Sequence, residues 1–172
     1  MEKFNLNIPK MGHFLLVKHE KGWLGDQIKN TQIKMGFKER DAIYTHVEVL
    51  GGGQHSVCVA PPCTSIIDFT KKYKNRYVKI VRYKGDGYVI RRYKVAFWAA
   101  SHCNLKYDWR GVIAFIVTSL RDRFNKYFCS ENSLWALQKE QPEALDGIKP
   151  EKCVPAHFTV DEFFAVVWEG YI

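Results

Sequence analysis

The sequence predicts an α+β fold in which a small antiparallel β-sheet packs against helices, and three patterns carry that prediction. Strand-forming residues flank the Gly51-Gly52-Gly53 turn on both sides, which is typical of a β-hairpin. Residues 76–84 separate into two alternating faces, as a strand does. Residues 88–103 place Tyr93, Phe97 and Ala100 at helical spacing, which indicates a helix.

The remaining elements follow from similar local patterns. Further strands are predicted at residues 12–18, 55–60 and 64–69, besides the strand that carries His46. Further helices are predicted at residues 23–35, 112–120 and from Cys129 to near Pro142, with a final helix starting at the Thr159-Val160-Asp161-Glu162 capping pattern. Residues 38–41 and the proline-containing stretch 141–157 are predicted to be surface loops.

Length and composition favour one domain spanning residues 1–172, since 172 residues can bury a substantial core. No apolar run approaches the roughly 20 residues of a membrane-spanning helix, and the N-terminal residues lack a signal-peptide pattern. The chain has five cysteines without framework spacing, which favours reduced thiols and a cytoplasmic location.

Cys129 is predicted to lie at or just inside a helix N-terminus, because Leu134, Trp135 and Leu137 supply an apolar face behind residues typical of a first turn. A helix start offers unpaired N–H groups and a partial positive charge, which stabilise a thiolate nucleophile. The alternative is a buried, unreactive cysteine that packs the first turn.

His46 lies in the middle of a predicted strand, where a single histidine is usually a hydrogen-bonded core residue. Together with a cysteine at a helix start, however, it supplies the parts of a thiol hydrolase. If the hairpin turn centres on Gly52, His46 faces Cys58 across the two strands and Glu48 faces Ser56.

These segments resemble a known family in their order along the chain. Thr45-His46-Val47-Glu48-Val49, a glycine turn, Tyr107-Asp108-Trp109 and Phe128-Cys129-Ser130-Glu131 resemble the circularly permuted NlpC-type papain-like hydrolases. That group includes the YiiX-like proteins and, more distantly, lecithin:retinol acyltransferase. Its members place the histidine before the cysteine, and so does this chain. The resemblance runs from about Gly12 to Leu137.

The resemblance implies a permuted papain-like fold and a cysteine peptidase or amidase with Cys129 as nucleophile and His46 as base. The substrate would contain an amide bond (peptide, isopeptide or cell-wall peptide) or, less favoured, a thioester or lipid acyl bond, and no cofactor is implied. By resemblance Tyr107 contacts substrate or supports the oxyanion; the alternative is an aromatic residue packing a loop. The Cys129 N–H is the natural oxyanion donor.

The group that orients His46 is where the sequence departs from the family pattern. The family places a polar residue on the following strand, where this chain has Cys58, and a thiol is a poor acceptor for an imidazole N–H. His55, Ser56 and Glu48 are the substitutes. We expect His55 to point to the other face and Glu48, on the same strand as His46, to lie too far along to touch the ring.

Other function classes remain open. The formal charge of +8 suggests an anionic partner, and residues 71–77 and 91–94 interleave cations with aromatics as nucleic-acid modules do; we predict no specific nucleic-acid binding. A catalytically inactive papain-like binding domain is a further alternative. Metal sites built from His55, Cys58 and Cys63, or from His102 and Cys103, lack paired zinc spacing, so no metal is predicted. An intracellular or phage-encoded role is favoured, and the oligomeric state is left open.

Overall fold

The computed structural model describes residues 4–108 and 128–172, and these residues form one six-stranded antiparallel sheet flanked by helices, as the α+β prediction requires. The strands are β1 Phe14–Lys18, β2 Tyr44–Gly52, β3 His55–Ala60, β4 Cys63–Asp68, β5 Tyr77–Tyr83 and β6 Phe164–Tyr171. The helices are α1 Trp23–Lys34, α2 Glu39–Ala42, α3 Phe69–Lys72, α4 Tyr88–Ala100 and α5 Cys129–Glu140. The strand order is β4-β3-β2-β1-β5-β6.

Strand β1 lies inside the sheet and is buried on both faces. Phe14 and Leu16 contribute to a core cluster that also contains apolar residues of α4 and α5. Leu15 and Val17 contribute to a second cluster on the opposite face. A continuous apolar run is what a strand buried on both sides requires, because successive side chains alternate between the faces.

The hairpin between β2 and β3 has a different register from the one the turn predicts. The pairs are Val49 with Val57, Leu50 with Ser56 and Gly52 with His55, with an irregularity between Leu50 and Gly52. The predicted pairing is therefore wrong by two residues. The turn lies at Gly53-Gln54 and not at Gly52, which moves the pairing by three, and the extra residue between Leu50 and Gly52 moves it back by one. A shift of two keeps every side chain on its predicted face.

The C-terminal segment differs most from the prediction. Thr159 ends a short 3-10 helix (Pro155–Thr159) instead of opening an α-helix, and the chain continues as β6 along β5. Trp168 pairs with Ile80, and Phe164 pairs with Tyr83. Because this segment is rich in β-branched and aromatic residues, pairing with an existing strand prevails over the local capping pattern.

Two of the predicted loops are more ordered than expected. Residues 39–42 form α2, and the stretch 141–157 buries Leu145 and Cys153 and contains the 3-10 helix Pro150–Lys152. The predicted helix at 112–120 lies outside the described residues. Among the residues that are described, no helix combines the length and apolarity needed to cross a membrane.

Replacement of Trp168 by alanine tests the assignment of Trp168 to the buried face of β6. Trp168 is 6 % exposed and packs edge-to-face on Phe4, whereas Val166 on the same strand is 51 % exposed. We expect Trp168→Ala to lower the free energy of unfolding by about 3–5 kcal/mol, and Val166→Ala by less than about 1 kcal/mol. Urea unfolding followed by far-ultraviolet circular dichroism measures both, and equal losses would contradict the assignment.

Candidate active site

His46 projects from β2 with 22 % of its side chain exposed. Its Nε2 atom lies 3.0 Å from Oε1 of Glu48 and 3.8 Å from Sγ of Cys58. Glu48 and Cys58 therefore occupy one nitrogen of the imidazole, which leaves Nδ1 for a different partner.

Cys129 is a further partner of the His46 ring, and it is the first residue of α5. Phe128, just before it, has an extended backbone (φ −109°, ψ 171°), so the helix begins at Cys129. Cys129 is 7 % exposed. The Cys129 sulfur lies close to the His46 ring and to the backbone N–H groups of Val47 and Ser130, and all three interactions lower the pKa of the thiol. The structure thus brings together the two residues that the sequence singled out.

The position of Cys129 also explains how the helix start reaches β2. Pairing between β2 and β3 begins at Val49 and Val57. Two residues earlier along β2, the N–H of Val47 donates to the Cys129 sulfur instead. The nucleophile candidate therefore takes a backbone hydrogen bond where the β2–β3 ladder ends, directly beside His46.

The two side chains shift each other's pKa in opposite directions. Burial by itself would lower the pKa of His46, but the negative charge of Cys129 and hydrogen bonds to Cys129, Cys58 and Glu48 raise this pKa well above 6.5. Burial would raise the pKa of Cys129, but the His46 charge and its hydrogen bonds lower it below 9.0. The pair therefore favours thiolate and imidazolium and titrates as one unit.

Glu48 is fully buried, and its carboxylate has partners from three elements. It accepts hydrogen bonds from Ser56 Oγ on β3 (2.5 Å), from the Tyr73 hydroxyl and from Lys72 Nζ on α3 (3.3 Å), in addition to its contact with His46. Burial raises the pKa of Glu48, but His46, Lys72 and Ser56 lower it well below its usual range. The carboxylate is therefore ionised and bound to the imidazole.

The expectation that Glu48 lies too far along the strand to touch the ring is wrong. Residues two apart on one strand face are separated by only about 6.6 Å, a gap that the histidine and glutamate side chains bridge. Cys58 contacts the ring as expected, but at 3.8 Å and as a weaker acceptor. His55 is exposed at the hairpin end, where it pairs with Gly52.

Tyr107 lies beside the nucleophile candidate. Its N–H donates to the carbonyl of Pro62 (3.1 Å), and its side chain lines a small pocket together with Cys129. Burial, followed by the negative charges of Cys129, Cys58 and Asp108, raises the pKa of Tyr107. The hydroxyl therefore keeps its proton and is a donor at neutral pH. Trp109, the next residue of the family-like motif, lies outside the described residues.

The environments of Cys153 and Cys103 raise the pKa of the thiol, whereas the environment of Cys129 lowers it. Burial and the charges of Cys129 and Glu131 raise the pKa of Cys153 well above 9.0. Burial also raises the pKa of Cys103. These two thiols stay protonated, so Cys129 is favoured over them as the nucleophile.

Within the described residues, His55, Cys58 and Cys63 do not form a ligand group, and no group of three or more potential ligands includes His102 or Cys103. Instead His46, Glu48 and Cys58 place their ligand atoms within 4.8 Å of one another. Lys72 Nζ lies 2.8 Å from Cys58 Sγ and 3.3 Å from Glu48 Oε1. A protein cation thus already occupies the negative side of this group, which does not favour a metal ion.

Lys72 and Tyr73 are the site residues that the sequence interpretation missed. They belong to the stretch 71–77, which interleaves cations with aromatics as nucleic-acid modules do, and local spacing carries no signal that they meet Glu48. Their position depends on α3, which starts where Asp68 Oδ1 accepts the N–H groups of Thr70 and Lys71.

Comparisons with protein-family models and with curated proteins find no match to this chain. The chemistry of the site therefore rests on its own geometry.

Titration of His46 by histidine NMR in single variants distinguishes the effect of Glu48 on the pKa of His46 from the effect of Cys58. Because Glu48 supplies the charged acceptor, we expect Glu48→Gln to lower the pKa of His46 by about 1–3 units, while Cys58→Ser changes it much less. The isosteric glutamine preserves packing, and a circular dichroism spectrum checks the fold. If Cys58→Ser produced the larger shift, Cys58 would be the orienting group.

Proposed function

We propose that the chain is a thiol-dependent hydrolase that cleaves an amide bond, with Cys129 as the nucleophile and His46 as the general base and acid. The observation that carries this proposal is the hydrogen-bonded pair at the start of α5, with a lowered pKa for Cys129 and a raised pKa for His46. A thiolate is the reactive form of cysteine, and a neighbouring imidazolium is positioned to protonate a leaving group.

The first half-reaction begins when the Cys129 thiolate attacks the carbonyl carbon of the amide. Negative charge then develops on the carbonyl oxygen, where the Cys129 backbone N–H and the protonated Tyr107 hydroxyl are the proposed donors. The imidazolium of His46 gives its proton to the amine as the C–N bond breaks. This step leaves a thioester on Cys129 and a neutral imidazole.

The second half-reaction is hydrolysis of the thioester. Neutral His46 removes a proton from water, and the resulting hydroxide attacks the thioester carbonyl. Collapse of the intermediate releases the carboxylic acid and restores the thiolate–imidazolium pair. Glu48 touches no reacting atom in this scheme; it holds the imidazole through Nε2 and stabilises its positive charge, so we assign it a positioning role.

The alternatives have less support. Lys72 and Tyr73 belong to the stretch 71–77 that suggested a nucleic-acid module. Both contact Glu48, so this part of the stretch contributes to the candidate active site. An inactive binding domain would have no need for a buried, charged network around an imidazole, since such a network costs desolvation energy. A peptide-like amide is the proposed substrate class, and the intracellular or phage-encoded setting stays a prediction.

Digestion of a peptide library in H₂¹⁸O tests the proposed hydrolase. Hydrolysis of an acyl-enzyme places ¹⁸O in each new carboxylate, which mass spectrometry detects. We expect Cys129→Ala to reduce product formation by at least about 10³-fold, as removal of a catalytic nucleophile does. The half-buried Cys103→Ala is the matched control and should retain activity. Product that persists in Cys129→Ala would contradict the nucleophile assignment.

Nucleic-acid binding is tested by titration with two unrelated duplexes at increasing salt. Because the basic charge has no assigned base-reading site, we expect weak, sequence-independent binding that is largely lost by about 0.2 M salt. Tight binding of one duplex at that salt concentration would favour the nucleic-acid module.

A further inference from the structure

Lys72 contacts both groups that face Nε2 of His46. Its Nζ atom lies 3.3 Å from Oε1 of Glu48 and 2.8 Å from Sγ of Cys58. That carboxylate oxygen is also 3.0 Å from Nε2 of His46, and that sulfur is 3.8 Å from the same nitrogen. The imidazole and the lysine ammonium therefore share two acceptors, one oxygen and one sulfur.

Lys72 stays positively charged in this position. Burial by itself would lower its pKa, but the negative charge of Glu48, followed by the charge of Cys58 and hydrogen bonds to both, raises this pKa above its ordinary value. The Lys72 side chain is 38 % exposed and lines the same open cleft as His46. A fixed positive charge is therefore present beside the ring.

Other charged and titratable groups also face His46. Those that contact the ring or its acceptors lie on β2, β3, α5 and just after α3: Glu48, Cys58, Cys129 and Tyr73. Those that line the open cleft beside the ring are Lys18, His19, Glu20, Lys21 and Arg76. Arg76 is paired with Glu20, and Lys18 stands over a tyrosine ring. In the part of the chain that the structure describes, the lysine that contacts the acceptors of the ring is Lys72.

The two half-reactions of the proposed mechanism make opposite demands on the imidazole. During acylation His46 must be protonated, so that it can give a proton to the amine. In the acyl-enzyme the sulfur of Cys129 is part of a thioester and carries no charge, and His46 must be neutral to remove a proton from water. Glu48 opposes this second state, because a carboxylate 3.0 Å from Nε2 favours the imidazolium.

A cation held by the same carboxylate has the opposite effect on the ring. It neutralises part of the charge that Glu48 presents to Nε2, and it repels the imidazolium directly, as a nearby like charge does. Lys72 therefore favours the neutral imidazole in the acyl-enzyme, where the Cys129 thiolate is no longer present to offset the repulsion.

We infer that Lys72 is a positioning residue whose charge keeps His46 able to act as a base in the second half-reaction, the hydrolysis of the thioester. Lys72 touches no reacting atom and acts through Glu48 and Cys58. This inference rests on the proposed function and adds to it the residue that controls its second step.

Titration of His46 by NMR in the Cys129→Ala background tests the charge effect without any catalysis. Alanine removes the thiolate, as acylation does, so the pKa of His46 then depends on its remaining neighbours. We expect Lys72→Met to raise this pKa by about one unit, because removal of a nearby like charge favours the imidazolium. The control Lys71→Met removes the same charge from the same helix, where the side chain is 84 % exposed and pairs with Asp68, and should change the pKa little.

The activated ester p-nitrophenyl acetate tests the step assigned to Lys72. The initial burst of nitrophenolate measures acylation of Cys129, and the steady rate that follows measures deacylation. For Lys72→Met we expect the burst to be kept and the steady rate at neutral pH to fall roughly tenfold for each unit by which the pKa of His46 rises. The steady rate should recover at higher pH, where His46 is neutral again, whereas a structural defect would lower it at every pH.

Two further variants separate the charge of Lys72 from its packing. Lys72→Arg keeps the charge and should keep the pKa of His46 and the steady rate near their original values. Lys72→Gln removes the charge but keeps a hydrogen-bond donor, so it should behave like Lys72→Met. It replaces Lys72→Met in both experiments if circular dichroism shows that the methionine variant does not fold.

The outcomes distinguish the inference from the proposed function. If Lys72→Met and Lys71→Met have the same pKa of His46 and the same steady rate while the burst is kept, Lys72 has no such role and the proposed function stands. If the wild-type protein shows no burst that depends on Cys129, the proposed function fails and the inference fails with it.

Discussion

The buried carboxylate of Glu48 is the constraint on which the rest of the site depends. Placing a charge in a protein interior costs several kcal/mol unless it is paired and fully hydrogen-bonded. Here the compensation comes from His46 on the same strand, Ser56 on β3, and Lys72 and Tyr73 on and just after α3. These contacts fix the imidazole, the hairpin and α3 relative to one another, so a polar network sets the geometry that the proposed chemistry needs.

Alternate residues of β2 have different roles: one set packs in the core and the other forms the polar network. Val47 and Val49 are buried in the core cluster shared with α4 and α5, whereas His46 and Glu48 form the polar network. Cys129 joins the two, because it belongs to the core cluster while its sulfur reaches the Val47 N–H and the His46 ring. Packing of α5 on the sheet therefore positions the thiol.

The sequence was sufficient to predict the His46–Cys129 pair and most of the strands. It was not sufficient for the features that contacts between distant residues determine. His46 and Cys129 could be chosen because a strand histidine and a helix-start cysteine are recognisable locally. The hairpin register was missed because the turn lies at Gly53-Gln54 and an extra residue sits between Leu50 and Gly52, neither of which alternation can reveal. Strand β6 was missed because pairing with β5 outweighs a capping pattern. The roles of Lys72 and Tyr73 depend on where α3 packs, and no spacing rule encodes that.

The ultraviolet absorbance of the thiolate near 240 nm, recorded against pH, tests whether Cys129 and His46 form a thiolate–imidazolium pair. The difference between the wild-type protein and Cys129→Ala isolates the signal of Cys129. Because the pKa of Cys129 is lowered, we expect a thiolate that persists on acidification below the ordinary cysteine pKa of about 8.5, and that is lost at neutral pH in His46→Ala. A signal that appears only near pH 8.5, and is the same with and without His46, would contradict the thiolate–imidazolium pair.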